Sequence, residues 1–209
     1  MKLQYKSYAK LNLFIRILEK RLDGYHNLQS IFEKINLFDV LTFESRRDNK
    51  ILLKSNIKVL EEENIIIDVI NLMKEKSKVK NIGLNINLRK NIPIGAGLGG
   101  GSSNAATALI AVNRLWKINK SNGYLKRLSL SIGSDIPFFL SHGNAWIEGR
   151  GDIITSIYTK PRWYVLVHAN VCISTKKMYE LVRINKTNHK CDYDDYAKNL
   201  VGNDFLNIV

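Results

Sequence analysis

The sequence predicts an α+β fold, on three observations. Short β-branched and aromatic runs alternate with segments whose apolar residues recur at helical spacing. Turn signals such as Asp23-Gly24 punctuate these runs. One glycine-dense stretch joins an alternating strand to an alanine-rich helix. With 209 residues, 45% of them hydrophobic and 24% charged, the chain can bury a real core, in one large domain or in one domain plus part of another.

From the N-terminus, residues 5–19 are largely apolar and extended, and they run to the turn at Asp23-Gly24. Residues 28–43 carry β-branched and aromatic side chains in two runs, read as two short strands. From Glu61 the period changes: Ile65, Val69, Leu72 and Met73 share a helical face, and Asn64 before them suits an N-cap. Leu84, Ile86 and Leu88 alternate with Asn85 and Asn87, the pattern of a half-buried strand. Residues 103–116 form a helix with Ala105, Leu109, Val112 and Trp116 on one face, and residues 124–131 form a shorter one. The loop Gly133-Ser134-Asp135-Ile136-Pro137 follows, then strands over 145–147 and 163–168. A second unit is expected to begin near residues 155–161, and no internal repeat or low-complexity linker breaks the chain.

Composition narrows the function. Lys and Arg number 32 against 19 Asp and Glu, a net charge of +13, which favours an anionic partner: a nucleic acid or a phosphorylated small molecule. The basic residues are dispersed and are not interleaved with aromatics as on a single-strand binding surface. The chain is rich in Ile, Asn and Lys, so AT-rich codon bias explains the charge better than a nucleic-acid partner does. No apolar run approaches the roughly 20 residues of a membrane span, and residues 1–10 carry no signal-peptide core, so a cytoplasmic protein with neither membrane nor nucleic-acid partner is expected. Cys172 and Cys191 form no CxxC and no cluster with the four scattered histidines, so neither a disulfide scaffold nor a zinc site is indicated.

The most informative stretch is Pro93-Ile94-Gly95-Ala96-Gly97-Leu98-Gly99-Gly100-Gly101-Ser102-Ser103-Asn104. Five glycines in seven positions let the backbone bend through positive φ and approach a ligand closely. A helix N-terminus follows at once, with unsatisfied N–H groups and the positive end of the helix dipole. Strand, glycine loop and helix start together make an anion site, most often for phosphate, to which Ser102 and Ser103 can add hydroxyls. No lysine completes a Walker A motif. Gly95, Gly97 and Gly100 match G-x-G-x-x-G, but the acidic residue that a dinucleotide fold wants about 20 positions on is missing.

This stretch closely resembles the second motif of the galactokinase, homoserine, mevalonate and phosphomevalonate kinase (GHMP) superfamily. Ala9-Lys10-Leu11-Asn12-Leu13, the run Arg21-Leu22-Asp23-Gly24-Tyr25-His26-Asn27-Leu28-Gln29-Ser30, Gly133-Ser134-Asp135-Ile136-Pro137-Phe138-Phe139 and Glu148-Gly149-Arg150-Gly151 continue the resemblance in order. They resemble the branch whose substrate is a cytidine diphosphate-linked methylerythritol. The match resumes weakly at Ile173-Ser174-Thr175 and at Gly202-Asn203-Asp204. The resemblance implies an ATP-dependent kinase with a ribosomal protein S5 domain 2-like N-terminal domain, residues 1–157, and part of a ferredoxin-like C-terminal domain, residues 158–209. It also implies magnesium with the ATP, although no carboxylate pair assigns its ligands, and a monomer or homodimer.

Residue by residue, the resemblance makes Asp135 the catalytic base, where sequence alone offers a loop or N-cap aspartate. It makes Lys10 the partner that orients the acceptor hydroxyl, where the alternative is an edge-strand lysine in an apolar run. Lys10 and Asp135 are then expected in contact. Tyr25 and His26, otherwise a hairpin tip, would hold the cytosine, with Tyr179 on its other face and Asn12 beside the acceptor end. The loop from Pro93 to Ser103 would wrap the triphosphate, and Asn64 and Lys90 would touch the adenosine side, against the alternatives of a helix cap and an exposed lysine. The family's third glycine-rich motif has no counterpart before Val209, so a truncated product or a fragment is expected. A remnant that binds nucleotide without turnover, and a sister kinase acting on another small alcohol, remain alternatives.

Overall fold

A tight turn sets the first two strands against each other. In the computed structural model, which describes residues 1–62, 64–80, 82–168, 175–182, 184, 190–198 and 202–206, β1 (Lys2–Lys20) pairs with β2 (His26–Arg46). Arg21 N donates to Tyr25 O at 2.7 Å, and Gly24 takes φ +83°, a conformation glycine adopts without a Cβ penalty. Residues 28–43 are therefore not two short strands but the middle of one 21-residue strand. The two carboxylates that interrupt the apolar run do not turn the chain, because Glu33 and Asp39 are both buried with partners. Glu33 accepts from Thr159 Oγ1 at 3.0 Å and from Tyr164 OH at 3.1 Å. Asp39 accepts from the backbone N–H groups of Asn91 and Ile92 at 2.7 and 2.8 Å.

The chain folds into two units, neither of them continuous in sequence. The first holds residues 1–9, 35–94 and 98–141, the second residues 10–34, 95–97 and the described part of 142–209. β1 and β2 contribute residues to both.

In the first unit β2 pairs antiparallel with β4 (Gly83–Arg89), Val40 opposite Arg89 and Arg46 opposite Gly83. β4 pairs in parallel with β3 (Ile51–Ser55). A parallel neighbour requires a crossover, supplied by a 3-10 turn (Lys58–Glu61) and α1 (Ile65–Ser77). Asn64 caps α1 as expected, its Oδ1 accepting from Ile66 N at 3.0 Å. Ile66, Val69, Ile70 and Met73 form the buried face of α1, which packs on α2 (Gly100–Leu115). Leu84, Ile86 and Leu88 are buried along β4, as their alternation predicts. α2 is rich in buried alanine and starts three residues before the expected Ser103. α3 (Asn122–Ser129) is capped by Ser121 Oγ, and the single turn α4 (Ile136–Phe139) buries all four of its residues while packing on α2 and α3.

In the second unit β5 (Asn144–Glu148) pairs antiparallel with β2, Ile31 opposite Trp146, and with β6 (Ile153–Ile157). Two short helices follow, α5 (Thr175–Leu181) and α6 (Tyr193–Ala197). A reciprocal pair of hydrogen bonds between Asp192 and Asp195 starts α6. Its Tyr196 joins Phe14, Ile31 and Cys191 in the unit's core, flanked by Leu13, Trp146 and Ile157. Residues 202–204 lie along β1: Ile15 N donates to Gly202 O at 3.1 Å, Asp204 N to Ile15 O at 3.0 Å, and Ile17 N to Asp204 Oδ2 at 2.7 Å.

Residues 163–168 are not the expected strand. Trp163, Val165 and Val167 are almost fully exposed. A run of β-branched and aromatic residues reports strand propensity, whereas a strand also needs a paired backbone. Cys172, Ile173 and Ser174 lie outside the described residues. No described helix is long and apolar enough to cross a membrane.

Candidate functional site

The candidate residues fall into two groups, one centred in the first unit, with residues 95–97 drawn from the second, and one wholly in the second. The first group is the glycine loop and the helix it feeds. Gly95, Gly97 and Gly99 take φ of +69°, +72° and +68°, values that any side chain bearing a Cβ would resist. Gly99 is the N-cap of the 16-residue α2, and the first turn of that helix carries no acidic residue. Its leading N–H groups and the dipole therefore present uncompensated positive charge to an anion. Pro93 leads into the loop, Ile94, Gly95 and Gly97 are exposed, and Ala96, Leu98 and Gly101 complete it. Ser102 is half-buried. Ser103 has a structural partner: its hydroxyl accepts from Ser7 Oγ at 2.8 Å, because α2 is buried nearly all round at this point, with every residue from 103 to 109 in the core.

Two further residues expected near a nucleotide have structural partners. Asn64 spends its side chain on the α1 cap and on Leu60 O. Lys90 is not an exposed lysine: its side chain is 5% exposed and its Nζ lies 2.6 Å from Asp39 Oδ2. Its backbone N–H and C=O are both engaged by the Asn56 side chain, at 2.7 and 3.0 Å. Asp135 occupies the N-cap position of α4 but makes no capping bond with its side chain, and the residue is half-buried.

The second group lies in the other unit. Lys10 is buried, its Nζ donates to Asn12 Oδ1 at 2.7 Å, and the ammonium lies 4.4 Å from the centroid of the Phe32 ring. A buried lysine needs such partners to stay charged. His26 and Tyr179, 153 positions apart, stack at 5.5 Å between centroids and 21° between planes. Phe205 meets Tyr179 edge-on at 5.0 Å. The Tyr25 ring is half-exposed at the turn, with the Arg150 guanidinium 5.1 Å from its centroid. Burial, and secondarily the Lys20 charge, push the His26 pKa below its ordinary value, so its imidazole is neutral at pH 7 and offers one donor and one acceptor. This edge and the neighbouring ring faces suit a heteroaromatic base.

Sequence reasoning placed Tyr179 across a cytosine from Tyr25, and the structure stacks its ring on His26; that reasoning gave no role to Phe205, Arg150 or Asp39. Asp39 had a readable signal, a carboxylate inside an apolar strand run, where burial demands partners. Phe205 had none, since its place depends on residues 202–204 returning to β1.

Comparison with known proteins gives concordant results. Residues 64–143 match the family model of the GHMP kinases N terminal domain. The 4-diphosphocytidyl-2-C-methyl-D-erythritol kinase of Francisella philomiragia is 42% identical over 206 residues, 98% of this chain and 75% of that protein. The enzyme of the same name from Prochlorococcus marinus is 45% identical over 183 residues, 86% of this chain and 59% of that protein. A crystal structure of a 4-(cytidine 5'-diphospho)-2C-methyl-D-erythritol kinase superposes with a TM-score of 0.73 at 30% identity, covering 87% of this chain and 65% of that one. The chain thus spans between about three fifths and three quarters of these relatives.

Proposed function

Because this chain belongs to the 4-diphosphocytidyl-2-C-methyl-D-erythritol kinase family, we propose that it transfers the γ-phosphoryl group of ATP to the 2-hydroxyl of 4-diphosphocytidyl-2-C-methyl-D-erythritol, a step of non-mevalonate isoprenoid precursor synthesis. Its mixed α+β architecture is the GHMP kinase fold. Within that fold the proposal assigns residues 1–157 to a ribosomal protein S5 domain 2-like ATP-binding domain and residues 158–209 to part of a ferredoxin-like domain.

The observation that carries the substrate reading is the stacked His26–Tyr179 pair beside Tyr25. In the proposal Tyr25 and Tyr179 supply ring faces to cytosine, and His26 supplies hydrogen bonds to its edge. Asp135 accepts the proton of the 2-hydroxyl as its oxygen attacks the γ-phosphorus, and the bond to the β–γ bridging oxygen breaks to release ADP. Lys10 pairs with Asp135 and, with Asn12, holds the hydroxyl in line. The loop from Pro93 to Ser103 cradles the triphosphate, whose spread negative charge the α2 N-terminus helps to neutralise, and Asn64 borders the adenosine. Among the described residues no group of three or more His, Cys, Asp or Glu side chains could hold a metal ion. Magnesium would enter this scheme with the ATP, where it would offset phosphate charge. The proposal further places the protein in the cytoplasm, as a monomer or homodimer without nucleic-acid or membrane partners.

ADP release by the purified chain with ATP and magnesium tests this reading. Release is expected with the cytidyl-diphospho-methylerythritol substrate and not with mevalonate or homoserine. Turnover of either of those instead would move the chain to a sister kinase, and saturable ATP binding without turnover of any alcohol would make it a nucleotide-binding relative. The aromatic site has its own check. Tyr179→Leu removes one stacking face, worth about 1–3 kcal/mol per base, so KM for the cytidyl substrate should rise about tenfold while KM for ATP stays within twofold of wild type.

A further inference from the structure

We propose that Asp39 is a positioning residue for nucleotide binding: its single buried carboxylate ties the chain entering the glycine loop to the helix leaving it, and so sets the shape of the loop. The inference rests on reading residues 93–103 as a triphosphate cradle.

Asp39 is 0% exposed. The β2–β4 register, with Val40 opposite Arg89, brings it beside the end of β4. Its Oδ1 accepts from Asn91 N at 2.7 Å and Ile92 N at 2.8 Å, the residues just before Pro93. Its Oδ2 accepts from Lys90 Nζ at 2.6 Å and from Asn104 Nδ2 at 2.9 Å. Asn104 lies in the first turns of α2, beyond the loop, and its amide also donates to Ser7 Oγ at 2.9 Å. One fully buried side chain with four donors therefore fixes both feet of the loop.

Lys90 explains why a carboxylate is needed there. A Cβ added at Gly100 would lie 2.7 Å from Lys90 Nζ and 3.0 Å from Ile92 Cγ2. The ammonium thus sits directly under the start of α2, against the positive end of its dipole, a position that repels a cation. Burial pushes the Lys90 pKa down while the Asp39 carboxylate pulls it up. Without that carboxylate the loop root would hold a buried, uncompensated charge. Between its fixed feet the loop keeps exposed glycines at positive φ, which leaves the phosphate-facing backbone preformed and unobstructed. Preorganisation of this kind lowers the cost of ordering a site around its ligand.

The test is steady-state kinetics with each substrate varied at saturation of the other, together with near-UV circular dichroism and thermal melts. Asp39→Asn is expected to raise KM for ATP about tenfold or more, and Asn104→Ala about threefold, with KM for the alcohol substrate within about twofold of wild type. The double variant Asp39→Asn/Lys90→Met removes the stranded cation. It is expected to regain thermal stability relative to Asp39→Asn while its KM for ATP stays above that of Lys90→Met alone, a split that a merely structural role would not produce. Lys90→Met alone is the control for Lys90's own expected place beside the adenosine. An unchanged KM for ATP in folded variants, an equal rise in both KM values, or a KM for ATP in the double variant no higher than that of Lys90→Met alone overturns the inference. If the Asp39 variants do not fold, Asn104→Ala decides; if that fails too, the network is a general prop and the loop-specific role falls. A wild-type chain that neither binds ATP nor turns over is the separate outcome in which the kinase reading fails and takes this inference with it.

Discussion

Replacing Asp135 by asparagine is expected to lower kcat by about 10³-fold, within the 10²–10⁴-fold that a positioned general base contributes, while KM for ATP stays close to wild type. The substitution preserves shape and removes the charge that, in the proposed mechanism, accepts the hydroxyl proton. Asp135 makes no capping bond at α4 and sits at ordinary helical dihedrals, φ −80° and ψ −17°. Asparagine therefore fits the backbone, and the melting temperature should move little. Kinetics and melts on the same preparation separate the two effects. A fall in kcat of less than tenfold would remove Asp135 from the role of base. A parallel loss of stability would make it a structural aspartate, the alternative that the sequence alone leaves open.

Phe138→Ala is expected to destabilise the protein by about 3–5 kcal/mol, the usual cost of emptying a buried aromatic site. Phe138 is 0% exposed and meets Phe139 edge-on at 5.1 Å and 67°. It belongs to α4, whose four residues are all buried and which packs on α2 and α3. A single turn of helix has little stability of its own, so burial of its side chains holds it in place. For a chain of this size such a loss corresponds to a melting temperature lower by on the order of 10 °C. Urea unfolding measures the change directly. A cost under about 1.5 kcal/mol would mean that neighbouring side chains collapse into the space and that α4 is anchored by its other contacts. Because Asp135 immediately precedes α4, kcat should also fall at temperatures where the variant remains folded.

Much of the first unit was legible because its elements obey local rules. Asn64 caps α1, β4 alternates, and the buried face of α1 follows its helical period. The errors arose where a tertiary partner decides the outcome. Glu33 and Asp39 look like strand breakers until Thr159, Tyr164 and the backbone at 91–92 are seen to satisfy them. Residues 163–168 look like a strand because a β-branched and aromatic run does not reveal whether a backbone partner exists. Lys90 looks exposed because the carboxylate that buries it is 51 positions away. In the candidate site, the glycine loop and the Tyr25–His26 turn could be read locally. Phe205 could not, since its contact with Tyr179 follows from a long-range return of the chain. The burial of Ser103 was hidden because α2 buries every residue from 103 to 109 and shows no single apolar face there.

The division of β1 and β2 between two units has a consequence for how this protein can be taken apart. Residues 1–9 belong with 35–94 and 98–141, while residues 10–34 belong with the C-terminal segment. A single cut anywhere along the polypeptide therefore yields two fragments, and at most one of them can inherit a complete unit. Trimming the first nine residues would strip the larger unit of its share of β1, including the Ser7 hydroxyl that joins Ser103 and Asn104. Separated halves expressed together should regain structure only by reassociating, and neither unit can be isolated as one contiguous stretch of gene.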